Sequence, residues 1–168
     1  MTAPLVTIQN TLISRLENIT LTNGYAFDIE TVAFDDRDRN DWNPAVRDII
    51  IVEGAEEYSL DYSCPQGAAY GLGLRTEFEI NGFFKQLDTD TTEPGVVDKN
   101  VTRFAMKNAI VKAIVNSDPS GFQTMGTPAC KHFEWVRFER LQDAGFDVLQ
   151  VVVAMYYRVK ENDHETGA

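Results

Sequence analysis

The 168-residue sequence predicts an α/β protein of the α+β kind, with a mainly antiparallel twisted sheet flanked by two helices in the order α-β-β-β-α-β-β. Three patterns support this prediction: helically spaced apolar residues near the N-terminus, an alternating segment in the middle, and two apolar strands near the end. The length fits one domain. We therefore assign residues 1–160 to a single domain and residues 161–168 to a flexible acidic tail.

The first helix is predicted from Leu5 to Ile19, where apolar residues recur at steps of three or four. Asn23-Gly24 favours a left-handed stop after this helix. The β-branched and aromatic residues between Tyr25 and Phe34 then predict the first strand.

Two more strands are predicted in the middle of the chain. The apolar run from Ile49 to Val52 is typical of a strand that is covered on both faces, in the middle of a sheet. Residues 70–80 alternate between apolar and polar side chains, which predicts a strand with one face in water. The acidic, turn-rich residues 88–95 are predicted to form a loop before the second helix.

The second helix, from about Val97 to Val115, has two apolar stripes. Such a helix is either enclosed within its own domain or lies between the domain and another molecule. One stripe consists of Val97, Val101, Phe104, Val111 and Val115, and the other of Met106, Ile110, Ala113 and Ile114.

We choose Met106, Ile110 and Ile114 as the predicted subunit contact; the alternative is that this stripe packs inside the domain. Lys99, Arg103 and Lys107 recur at every fourth position of the same helix and form a basic stripe. This stripe is either a solvated helix face or a contact for the acidic loops of a neighbouring copy.

The last two strands are predicted from His132 to Leu141 and from Phe146 to Val159, joined as a hairpin by residues 142–145. The second of them contains an uninterrupted apolar run at residues 151–155.

The net charge of −11 argues against binding along a nucleic-acid backbone, because that binding depends on cations that neutralise phosphates. No export signal and no apolar run long enough to cross a membrane is present, so we expect a soluble protein that stays in the cytosol. Cys64 and Cys130 are accordingly expected to be free thiols.

Three short motifs imitate functional sites. Asp36-x-Asp38-x-Asn40 resembles the start of a calcium loop, but Asp41 stands where that loop needs glycine. Cys130-x-His132 is only a fragment of a zinc or nucleophilic site, and a small buried thiol is the simpler interpretation. Gly71-x-Gly73 precedes no helix and so cannot cradle a phosphate. We predict no catalytic residue, no metal site and no cofactor.

The order of elements, together with four local stretches, resembles the tail terminator (head-to-tail neck) family of tailed bacteriophages. The likeness covers nearly the whole chain. The stretches are IQNTLISRLENI, NGYAFDIETV, the strand from Ile49 to Val52, and the final VVVAMYYRV.

The resemblance implies a structural virion protein that forms a ring, usually of six copies, which caps the tail tube and joins it to the head connector. The tail tube protein and the connector and other neck proteins would be its partners, and genome DNA would pass through the lumen without specific binding. The ring would be assembled in the cytoplasm of the host bacterium. The family supplies no active-site residues.

Three alternatives stay open. The chain could be another neck protein, such as a tail-completion or head-completion protein. It could instead be a small metal-dependent hydrolase that uses Asp35, Asp36, Asp38 and Asp41. It could also be a monomeric adaptor whose second helix is covered within its own domain.

Overall fold

The computed structural model describes residues 3–38, 41–59, 71–84, 101–115, 129–143, 146–160 and 163–167. The α+β class is confirmed, and the order of elements differs from the prediction by an added 3-10 turn and a sixth strand. The elements are α1 (Pro4–Glu17), a 3-10 turn (Leu21–Asn23), β1 (Thr31–Phe34), β2 (Asp48–Tyr58), β3 (Gly71–Phe84), α2 (Arg103–Ile114), β4 (His132–Asp143), β5 (Phe146–Lys160) and β6 (Asp163–Gly167).

The buried side of α1 is the predicted one, since Ile8, Leu12 and Leu16 have no exposed surface. Pro4 occupies the first turn, where a missing N–H costs no helical hydrogen bond. The left-handed Gly24 (φ 78°) ends the 3-10 turn and not α1, and the first strand begins at Thr31, six residues later than predicted.

The strands form one mixed sheet in the order β1-β2-β3-β5-β4, with β6 paired to the end of β5. Only β1 and β2 are parallel among the described strand pairs. The predicted strand at 49–52 does lie inside the sheet. It is not covered on both faces, because Ile49 and Ile51 are buried while Ile50 and Val52 are only half-buried. β2 also continues to Tyr58, and its residues from Glu53 onward are exposed.

Both helices lie on one face of the sheet, and the core lies between the two layers. On β3, Leu74, Phe78 and Ile80 are buried on this face, as the alternation at 70–80 predicts. Phe78 and Ile80 stand opposite Val153 and Val151 of β5, which are also fully buried. This pattern places the central strands β3 and β5 beneath the helices.

The other face of the sheet carries a network of polar side chains. Arg75 donates hydrogen bonds to Glu57 (3.1 Å) and to the hydroxyl of Tyr156 (3.2 Å), and that hydroxyl donates to Glu134 (2.5 Å). The buried Gln150 of β5 joins β4 to β3, because its side-chain amide accepts from Arg137 (2.8 Å) and donates to Glu79 (3.1 Å). The charged groups of this face therefore bind one another across neighbouring strands.

The segment predicted as a flexible tail contains β6, which pairs with β5 through Val159 and Lys160. A sequence without apolar alternation gives no strand signal, so this pairing depends on the free end of β5 next to it.

Helix α2 packs closely against the sheet at Gly82 of β3. A Cβ atom at Gly82 would stand 2.8 Å from Cγ and Sδ of Met106 and 3.2 Å from Cδ1 of Ile110. Since this space is filled by α2, we expect Gly82→Leu to lower the free energy of unfolding by about 1–3 kcal/mol through overpacking. A urea titration measures the loss, and an unchanged midpoint would contradict the close packing.

Candidate interaction surface

The structure places Met106, Ile110 and Ile114 in the core, with no exposed surface. They face the sheet, together with Ala109 and Ala113. Because a fully buried side chain cannot reach another molecule, our choice of these three residues as the subunit contact is wrong. The alternative, that this stripe packs inside the domain, is correct.

The other apolar stripe of α2 is the exposed one. Phe104 is 66% exposed, Val115 is 40% exposed, and Val111 between them is half-buried. We call these three residues the α2 stripe. Val101, which we predicted to belong with them, is buried just before the helix, and Val97 lies outside the described residues.

Helix α2 begins at Arg103, later than the predicted Val97, because Thr102 caps it by accepting a hydrogen bond from the N–H of Ala105 (3.2 Å). The start of the predicted basic stripe, Lys99, therefore precedes the helix and lies outside the described residues.

The other two basic residues of the predicted stripe lie against aromatic rings. The Arg103 guanidinium is 5.1 Å from the ring centre of Phe104, and the Lys107 ammonium is 4.5 Å from that of Phe138 on β4. Both are cation–π contacts. Lys107 therefore borders the α2 stripe on the side that faces β4.

A groove of about 1290 Å³ runs between α1 and α2 on the other side of the α2 stripe. Its lining includes Arg15 and Lys112, while none of the described lining residues is Asp or Glu. For a protein of charge −11 this is a local reversal of sign. The remaining lining residues are Thr7, Asn10, Thr11, Ser14, Asn18, Asn23, Tyr25, Asn108, Val111, Ala113 and Val115.

The two cations of the groove lie near Tyr25. The Lys112 ammonium donates to the carbonyl of Gly24 (2.9 Å) and stands 4.4 Å from the Tyr25 ring centre. Burial raises the pKa of the Tyr25 hydroxyl, and the positive charge of Arg15 partly offsets that rise. The hydrogen bond and the ring contact hold Lys112 at the groove wall.

The edge strand β4 adds a smaller apolar patch beside α2. Trp135 and Phe138 pack with ring centres 5.3 Å apart, and Phe138 remains 38% exposed. A β-bulge between Trp135 and Arg137 leaves Val136 without a partner on β5, and Val136 is also exposed. A bulged edge is poorly suited to receiving another strand, so this patch offers side-chain contacts and not backbone pairing.

The structure describes parts of the motifs that imitate catalytic or metal sites. Arg37 donates hydrogen bonds to the carboxylate of Asp35 and lowers the pKa of Asp35 to about 2. Among the described residues, no group of three or more His, Cys, Asp or Glu is placed so that it could hold a metal ion. Asn40 lies outside the described residues. Burial raises the pKa of the Cys130 thiol to about 12, so Cys130 is the buried free thiol that we predicted. Cys64 also lies outside the described residues.

No family model matches the chain, and the search of curated proteins finds no match. None of the described helices has the length and apolar character needed to cross a membrane.

Proposed function

We propose that the chain is a structural subunit that joins copies of itself head to tail into a ring, as a tail terminator at the neck of a phage tail. The observation that carries the proposal is the α2 stripe, an exposed apolar surface on a helix whose other apolar side already completes the core. The resemblance of the sequence to that family supplies the biological setting: a ring of six copies between the tail tube and the head connector.

The energetics favour burial of this stripe by a partner. Fully burying a Phe side chain yields roughly 1.5–3 kcal/mol. Because Phe104 is 66% exposed, a partner that covers it would gain most of this free energy. Aromatic residues with an adjacent Arg are typical centres of protein interfaces, and Arg103 lies beside Phe104. Any neck protein that assembles with itself needs an apolar contact surface. The α2 stripe therefore supports self-assembly more directly than it supports the choice of a tail terminator over another neck protein.

The proposal is tested by Phe104→Asp. We expect this variant to fold like the wild type, because the side chain is exposed, and to associate at least tenfold more weakly, because the change places a charge in the contact. Sedimentation velocity over a hundredfold concentration range measures the association.

Val136→Asp is the matched control, since Val136 is 46% exposed and lies on the edge strand β4, outside the α2 stripe. It should leave association unchanged. Equal association of Phe104→Asp and the wild type would exclude the α2 stripe as the contact. Negative-stain images of wild-type oligomers should show closed rings, and open filaments would contradict a terminator role.

A further inference from the structure

The second half of β2 is an exposed acidic segment at the edge of the sheet. Every residue from Glu53 to Tyr58 is exposed, and we call this segment the β2 extension. It carries Glu53, Glu56 and Glu57 with no basic residue, and Tyr58 at its end is 57% exposed. Because β1 pairs only with Asp48–Ile51, the β2 extension has no neighbour among the described strands on the side away from β3.

We propose that the β2 extension of one copy docks on the α1/α2 groove of the next copy, with Glu53 and Glu56 facing Arg15 and Lys112 and the Tyr58 ring covering the α2 stripe. This inference rests on the proposed self-assembly and names the second side of that contact.

The charges make the two surfaces complementary. Copies that each carry −11 repel one another, so a stable contact between them must place the acidic groups of one copy against cations of the other. The α1/α2 groove offers two cations and no carboxylate among its described lining residues. The glutamates of the β2 extension already accept hydrogen bonds within their own copy. Each can accept further hydrogen bonds from a neighbouring copy, since a carboxylate has about four acceptor positions.

The apolar groups match as well. Val111 and Val115 belong both to the α2 stripe and to the lining of the groove, so one surface is apolar on one side and cationic on the other. On the β2 extension, Glu56 and Tyr58 stand two residues apart, opposite Thr76 and Leu74, and so lie on the same face of the strand. An aromatic anchor would supply affinity, while the charge pairs would fix orientation and partner choice.

The contact cannot form within one copy. Gln9 donates to Glu53, which fixes the start of the β2 extension beside α1. At 100° per residue, Gln9 lies on the side of α1 opposite Thr7, Ser14 and the groove. Two different patches of the protomer must therefore meet, which is the arrangement that generates rings.

Backbone pairing is a poor explanation for the exposed edge. The β2 extension contains a register shift between Glu53 and Glu56 and carries three glutamates, both of which protect an edge from strand addition. Gly54 also packs tightly, since a Cβ there would stand 3.0 Å from the carbonyl oxygen of Glu77. The side chains of this segment, and not its backbone, are the groups available for recognition.

Charge reversal tests the inference with full-length chains. A groove-reversed variant carries Arg15→Glu and Lys112→Glu, and an extension-reversed variant carries Glu53→Lys and Glu56→Lys, which lie on the same face of the strand as Tyr58. In each variant alone, the groove of one copy and the β2 extension of the next carry charges of the same sign. We therefore expect association at least tenfold weaker than that of wild type. In a 1:1 mixture every groove meets an extension of opposite charge, so wild-type-like oligomers should return with the two variants alternating.

Circular dichroism first establishes that both variants fold. The matched control is Lys107→Glu, which removes a cation from the opposite flank of the α2 stripe and should have a small effect. The inference is overturned by a mixture that stays dissociated, by either variant associating like wild type, or by Lys107→Glu weakening association as much as groove reversal. A wild-type chain that is monomeric at every concentration contradicts the proposed function itself, whereas wild-type oligomers with unaffected variants contradict only this inference.

Discussion

Ile110→Asp is expected to unfold the protein. Ile110 is fully buried between α2 and the sheet, beside Gly82, and the described surroundings offer the new carboxylate no cation. A buried, unpaired charge costs on the order of 4 kcal/mol or more, a large share of the roughly 5–15 kcal/mol by which a domain is stable. Thermal unfolding followed by circular dichroism should show the cooperative transition lost or moved far below that of wild type.

Phe104→Asp is the matched control, because it places the same charge on the exposed side of the same helix. We expect its transition to stay within a few degrees of wild type, since a change at an exposed position usually alters stability by about 0.5 kcal/mol or less. If Ile110→Asp folds and melts like Phe104→Asp, the inner side of α2 is not core.

Phe78→Ala should cause the second-largest loss. Phe78 lies on the central strand β3 with no exposed surface, and its ring meets that of Phe34 edge to face at 6.1 Å. Removing a buried Phe side chain costs about 3–5 kcal/mol, and the same change loosens β1 because Phe34 belongs to that strand. The midpoint of a urea titration measures the loss.

The control is Phe138→Ala on the same face of the sheet. Phe138 is more than one-third exposed on the edge strand β4, so its removal should cost much less. Equal losses at the two positions would show that the core is not centred on β3.

The sequence was sufficient for the elements whose apolar pattern is set by one buried side. The α1 residues Ile8, Leu12 and Leu16 recur at helical spacing and are all buried. The alternation along β3 gives the correct buried face, with Phe78 and Ile80 inward. Each of these elements has a single way to bury its apolar side, so local periodicity determines its orientation.

The orientation of α2 could not be obtained that way, because both of its stripes are apolar. Periodicity identifies two stripes without saying which one faces the sheet. A signal for the correct choice was present: the small residues Ala109 and Ala113 lie on the inner side of the helix, whereas Asn108 and Lys112 flank the outer stripe. Small neighbours indicate the packed side of a helix, and polar neighbours indicate the solvent side.

The α1/α2 groove and the β2 extension were not predicted at all. The groove exists only because two helices distant in sequence lie side by side, and the extension only because β1 is shorter than β2. The run of small uncharged polar residues on α1, from Thr7 through Asn10 and Ser14, was the one local hint. A helix face of that kind is neither core nor a typical charged surface.

The central claim is that a second copy of the chain covers the α2 stripe, and the solution mass of the wild-type protein tests it most directly. In sedimentation equilibrium from micromolar to millimolar concentration, the average mass should rise with concentration above the 18.9 kDa of one chain. It should level off at six times that mass if the ring closes as proposed. A constant mass of 18.9 kDa over that whole range would contradict the account.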